Sequence, residues 1–129
     1  MLTNRGKGTL FEDQALHYLK QKGLKLVQRN FSSRFGEIDL IMQHAQTLCF
    51  IEVKYRSNQQ FGGAAYSIPV SKQRKITQTA LLFINSHKKY QNKNYRFDAL
   101  FITPSDSDSQ ETSVEWIENA FCAENTDFY

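Results

Sequence analysis

The sequence predicts an α/β fold, with a mixed sheet flanked by helices and the core order α-β-β-β-α-β. Three observations carry this. Two stretches, residues 7–22 and 71–87, repeat their apolar residues with helical period. Four shorter apolar runs that suit strands accompany them. The second helical stretch stands between the third and fourth of these runs, where a helical crossover makes the two strands parallel. At 129 residues the chain can bury one core but hardly two, so a single domain over residues 1–129 is expected.

Residues 7–22 form an amphipathic helix that Gly23 closes at C′. With Glu12 set at zero and about 100° per residue, Ala15, Leu16 and Leu19 fall within about 60° of it, and Gly8 lies on the same side. Glu12 therefore points out of the middle of the apolar stripe, where a carboxylate is rare unless paired or metal-bound. Residues 24–29 make a first strand. Residues 36–54 make a hairpin about the loop His44-Ala45-Gln46-Thr47, and 57–70 a loop containing Gly62-Gly63 and Pro69. Ser71 can N-cap the second helix, whose inner face is Ile76, Ala80, Phe83 and Ile84. A fourth strand at 96–103, a polar loop at 104–113, a short strand at 114–117 and a helical turn at 119–121 complete the chain.

The hairpin is the most informative part. Alternation along a strand puts Glu37, Asp39 and Ile41 on one face of its first strand, and Glu52 and Lys54 on one face of its second. A symmetric hairpin about the loop places Asp39 opposite Glu52, and Glu37 opposite Lys54. Directly opposed residues have Cβ atoms about 4.5–5.5 Å apart, and like charges there are destabilising. A divalent cation between the two acids resolves the repulsion, since Mg²⁺ takes carboxylate oxygens. The competing structural reading is an ionic network of Asp39, Glu52 and Lys54 that sets the register, and it leaves an excess of negative charge. Glu37 reads as a modest salt-bridge partner of Lys54, and Arg96 with Asp98 as a structural ion pair.

The net charge of +3 is unevenly spread. Residues 1–98 hold all 16 Lys and Arg against 6 acids, and residues 99–129 hold 7 acids and no base. A basic body suggests a polyanionic partner, nucleic acid first, with Lys72, Arg74 and Lys75 at the start of the second helix and Arg56 after the third strand as candidate phosphate contacts. The acidic C-terminal part can also fold back on that body. No apolar run is long enough to span a bilayer, and the polar start lacks a signal-peptide core. Cys49 and Cys122 have no metal-type spacing and read as reduced core residues of a cytoplasmic protein. His17, His44 and His87 have no mutual ligand spacing and read as surface or satisfied groups.

An acid on the first helix, an acid on the second strand and Glu-x-Lys on the third resemble the PD-(D/E)XK (restriction-endonuclease-like) nuclease superfamily. The match is closer to its YraN-like branch of uncharacterised bacterial proteins. The pieces are Gly8 with Glu12 and Ala15, Arg29-Asn30, GEIDLI at 36–41, FIEVKYR at 50–56, FGGAA at 61–65, SKQRKI at 71–76, RFDAL at 96–100 and WIENAF at 116–121. Ile38 stands where the superfamily's name has proline. The resemblance implies a restriction-endonuclease-like fold and a DNA endonuclease dependent on Mg²⁺ or Mn²⁺. It implies a metal cluster of Glu12, Asp39 and Glu52, with Lys54 positioning the attacking water, and it suggests branched DNA as substrate and a homodimer as a candidate assembly. The alternative is a non-catalytic nucleic-acid-binding module of the same fold.

The charge distribution generates the first prediction. DNA binding by this chain should weaken steeply as salt rises, because each phosphate contact releases counterions. Filter binding from low to physiological salt checks it, and a flat affinity would point to a different partner.

Overall fold

A computed structural model describes residues 4–56, 68–104 and 112–122. It is a mixed five-stranded sheet with two α-helices, in the order α1 (Asn4–Gln21), β1 (Lys25–Ser33), β2 (Gly36–His44), β3 (Thr47–Tyr55), α2 (Val70–Ser86), β4 (Asn94–Pro104) and β5 (Thr112–Phe121). The strands lie side by side in chain order. All neighbours are antiparallel except β3 and β4, which α2 connects in parallel as expected. A single 3₁₀ turn, Lys88–Tyr90, follows α2.

Each face of the sheet carries one helix. Leu48 and Phe50 of β3 join Ile76, Ala80 and Phe83 of α2 in one buried cluster. Cys49 and Ile51, the alternating residues, join Ala15 and Leu19 of α1 in the other. The central strands are thus covered on both sides, which explains the nearly unbroken apolar run of β4, where Phe97 through Thr103 are all buried.

The turns are set by local chemistry. Gly23, with φ 97°, ends α1 as expected. Its amide bonds to the Lys20 carbonyl at 3.0 Å and that of Leu24 to the Leu19 carbonyl at 3.1 Å, a Schellman closure that buries Leu24. Between β1 and β2, Gly36 has φ 149°, which only glycine adopts readily. There the Phe35 amide donates to Ser33 Oγ at 3.0 Å, and Ser33 Oγ contacts Thr79 Oγ1 at 2.8 Å, tying the hairpin to α2.

Several sequence expectations need correction. The β2–β3 turn is two residues, Ala45 and Gln46, because His44 and Thr47 already pair. Ala45 accepts φ 54° to make it. One extra pair leaves the symmetry of the hairpin intact, so the expected register holds from His44–Thr47 to Leu40–Ile51. α2 begins at Val70 after Pro69, whose fixed φ of −55° suits a helix entry, and Ser71 makes no cap. Residues 119–121 belong to β5 rather than to a helical turn. Asn119, at φ 54°, absorbs a bulge opposite Asp98. Cys122 is exposed, not in the core, while Cys49 is buried, and both are free thiols. FGGAA at 61–65 and most of the 57–70 and 104–113 loops fall outside the described residues.

That bulge is anchored by Asp98, which has no exposed surface. Arg96 Nε donates to its carboxylate at 3.0 and 3.2 Å, Trp116 Nε1 at 3.0 Å and the Asn119 amide at 3.0 Å. The expected Arg96–Asp98 pair is therefore present, within a network that fastens β5 to β4. Arg96 also donates to His44 Nδ1 at 3.0 Å. His17 meets Gln21, and His87 meets the Phe83 carbonyl, so all three histidines have hydrogen-bond partners.

The Asp98 network should dominate stability at this end of the sheet. Asp98→Ala leaves Arg96 short of its partner and should cost about 3–5 kcal/mol. Trp116→Phe removes one donor and should cost about 1–3 kcal/mol. Urea melts of both variants test the ranking, and equal losses would contradict it.

Candidate functional site

At the opposite end of the hairpin β2 and β3 part. Their ladder stops at Leu40–Ile51, and the next contact comes from a side chain: the Val53 amide donates to Asp39 Oδ2 at 2.8 Å. Asp39 thus replaces the backbone acceptor where the strands separate. The parting also opens the sheet end to α1, which delivers Glu12. One carboxylate oxygen from each of Glu12, Glu37 and Asp39 lies within 4.8 Å of the others.

Glu12 leaves the apolar stripe of α1 as its helical position requires, and its side chain is only 16% exposed. Arg29 Nη2 stands 3.7 Å from Glu12 Oε1, while Arg29 Nη1 binds Asp13 Oδ1 at 2.7 Å. Burial raises the Glu12 carboxyl above its ordinary value, with Glu37 adding to the rise and Asn30 and Arg29 opposing it. The Arg29-Asn30 pair, part of the family pattern in the sequence, is thus a local restraint on Glu12.

Asp39 is the most perturbed of these acids. Burial first, then the Glu52 charge, push its carboxyl up to about 7, against the pull of the Val53 amide and Lys72. Glu52 follows Leu48 and Phe50 in alternation, so it faces α2, and it is 7% exposed. Its Oε1 is held by Lys72 Nζ at 2.7 Å, and its Oε2 is buried with no hydrogen-bond partner. Lys54 is half-buried beside this pair. Burial and the neighbouring Lys72 lower its pKa, while Glu52 and Asp39 oppose that. For Lys72 burial is the largest single influence and pulls downward, but the hydrogen bonds to Glu52 and Lys54 and the charges of Glu52 and Asp39 together raise the pKa.

The structure therefore gathers Glu12 and Asp39 with Glu37, sets Glu52 electrostatically against Asp39, and puts Lys54 alongside. The surprises are Glu37 and Lys72. Among the described residues no ion pair joins Glu37 to Lys54, and Glu37 belongs with the acids. The signal was present, since Glu37 and Asp39 share a strand face. Lys72, expected with Arg74 and Lys75 on a basic surface, turns inward to Glu52, while Arg74 and Lys75 are exposed. Arg56 donates to Thr103 Oγ1 at 3.3 Å and lies over the Phe101 ring, so it is partly committed to β4.

Six acidic and basic side chains, Glu12, Glu37, Asp39, Glu52, Lys54 and Lys72, come from both helices and from β2 and β3, a donor set that could hold a hard cation. Comparison of the sequence with known proteins finds relatives over most of its length. The chain matches "Uncharacterised protein family UPF0102" over residues 11–102. It is 48% identical over 118 residues to a UPF0102 protein of Psychromonas ingrahamii, covering 92% of this chain and 91% of the relative. It is 38% identical over 120 residues to UPF0102 protein VP0448 of Vibrio parahaemolyticus, with 93% and 95% covered. It is 42% identical over 121 residues to UPF0102 protein YraN of Escherichia fergusonii, with 93% and 87% covered.

The raised pKa of Asp39 has a consequence for stability. The folded protein holds that proton more tightly than the unfolded chain, so it is ionisation that costs stability. In chelator, stability should fall as pH rises from about 4, the unfolded value, to about 7, by at most about 1.4 kcal/mol per pH unit from this group. Asp39→Asn should flatten much of that fall and leave the protein at neutral pH as stable as wild type or more so. Denaturant melts across the range check this, and a mutant several kcal/mol weaker at pH 7 would make Asp39 a structural ion-pair partner instead.

Proposed function

The chain belongs to the uncharacterised protein family UPF0102, and from its site we propose that it is a metal-dependent endonuclease of the PD-(D/E)XK superfamily, with a restriction-endonuclease-like fold. It hydrolyses DNA phosphodiesters with Mg²⁺ or Mn²⁺, and four-way or otherwise branched DNA is the first candidate substrate. One observation carries the reading: Glu52, nine-tenths buried, keeps a partnerless Oε2 beside an Asp39 whose ionisation the site itself opposes. Two acids held at such cost without full pairing suit a cation better than a scaffold.

The donor set fits the ion. Glu12, Glu37 and Asp39 bring hard oxygen donors close enough to share one ion, and Glu52, outside that trio but set against Asp39 by its charge, would complete the set with its unbonded Oε2. A bound cation lowers the pKa of a coordinated water and screens the phosphate's charge. The remaining work falls to the chain. The Val53 amide holds Asp39 Oδ2 toward the site. Lys54 Nζ, with its proton held less tightly than usual, orients the attacking water and steadies charge on the phosphate oxygens. The exposed Arg74 and Lys75 contact the DNA backbone away from the scissile bond. The free thiols of Cys49 and Cys122 suit the reducing cytoplasm.

A second reading, a nucleic-acid-binding module without turnover, is favoured by one contact, since Lys72 already neutralises half of Glu52 from within the protein. A cleavage screen over linear, nicked, flapped and four-way DNA with Mg²⁺ or Mn²⁺ separates the two. The nuclease reading expects cleavage of at least one substrate, abolished by chelator and reduced at least ~10²-fold in Asp39→Asn and Lys54→Met, with binding retained. Binding without cleavage by wild type selects the second reading, and absence of both discards each.

A further inference from the structure

The contact between Lys72 and Glu52 does more than neutralise a charge. It joins the first turn of α2 to the third strand, at 2.7 Å, through a carboxylate 8% exposed. That carboxylate has its other oxygen buried and unbonded. The ammonium thus sits on a prime cation ligand of the proposed metal site. A divalent ion bound at Oε2 would stand close to the ammonium on Oε1 and repel it. Lys72 has somewhere to go: its side chain is 38% exposed. It stands at the same helix end as the exposed Arg74 and Lys75.

Resting on the metal-site reading above, we propose that Lys72 is a resident counter-ion for Glu52, displaced by the divalent cation and released to join Arg74 and Lys75 as a ligand for substrate phosphate. In the metal-free protein it holds Glu52 Oε1 in place. On loading, two positive charges enter the site with the ion, and the single charge of the ammonium moves to the exposed edge of α2. Metal binding and substrate binding then reinforce each other through a single side chain, whose ammonium can make three hydrogen bonds to phosphate oxygens. A purely structural ion pair would keep Lys72 on Glu52 whether or not a cation is present.

The test follows the Lys72 side chain itself. Lysine-labelled wild-type protein is titrated with Mg²⁺, and the Nζ resonance, assigned from its loss in Lys72→Arg, is read by nuclear magnetic resonance. The expected result is a protected signal in chelator that shifts to the position of a free lysine as Mg²⁺ is added, with the midpoint that calorimetry gives for binding. Lys72→Met should bind Mg²⁺ about tenfold more tightly, since a competing charge is gone. If Mg²⁺ binds wild type and the Lys72 signal stays where it was, the proposal is overturned while the metal reading stands. If Mg²⁺ binds neither wild type nor Lys72→Met, both fall. The wild-type titration decides the matter even if Lys72→Met fails to fold.

Discussion

The hydrogen bond from the Val53 amide to Asp39 Oδ2 is where fold and site meet. Up to Leu40–Ile51 the hairpin is an ordinary antiparallel ladder, and beyond it a carboxylate stands in for the backbone carbonyl. The substitution lets β2 and β3 diverge without orphaning a buried amide, which would carry the penalty of a lost hydrogen bond. The divergence admits Glu12 from α1 on one side and Lys72 from α2 on the other. Without it, α1 and α2 would stay on opposite faces of a closed sheet, and their functional residues would not meet.

Three acids, Asp39 on β2, Glu52 on β3 and Asp98 on β4, differ in how fully they are paired. Asp98, fully buried, receives donors from Arg96, Trp116 and Asn119 on both oxygens. Its hydrogen bonds close the sheet at β5. Asp39 and Glu52 have fewer partners, so burial and the Glu52 charge raise the Asp39 carboxyl against the Val53 amide and Lys72. Asp98, opposite Ile51 in the β3–β4 ladder, is thus fully satisfied, and Glu52, one step along opposite Ala99, is not. The second is where a ligand gains free energy by completing the pairing.

α2 has two duties in this arrangement. Its inner residues Ile76, Ala80 and Phe83 cover the face formed by Leu48, Phe50 and Phe97, and its length carries the chain back to start β4 parallel to β3. Its first turn also brings Lys72 to the acids. The helix entry at Pro69 is bound to the same place, because Gln73 Nε2 donates to the Ile68 carbonyl at 2.7 Å and the Gln73 amide bonds to the Pro69 carbonyl at 2.9 Å. The backbone of Lys72 is consequently fixed within reach of Glu52, and only its flexible stem decides where the ammonium rests.

Much of this was legible in the sequence. Two-residue alternation and hairpin symmetry predicted the β2–β3 register as far as Leu40–Ile51, while the expected Asp39–Glu52 pair lies beyond the ladder, where Asp39 takes the Val53 amide instead. Helical period put Glu12 on a buried face, and the helix between two apolar runs required β3 and β4 to be parallel. These are local or nearest-neighbour consequences of backbone geometry, so the order of residues determines them. Strand ends, the Asn119 bulge and the length of β5 were not legible, because partner strands and Asp98 impose them across the sheet. Nor were the roles of Glu37 and Lys72. Lys72 lies 20 residues beyond Glu52 in the chain, and no periodicity links a helix start to a strand across that gap. Only packing of α2 on the sheet decides that this lysine turns inward while Arg74 and Lys75 remain at the surface.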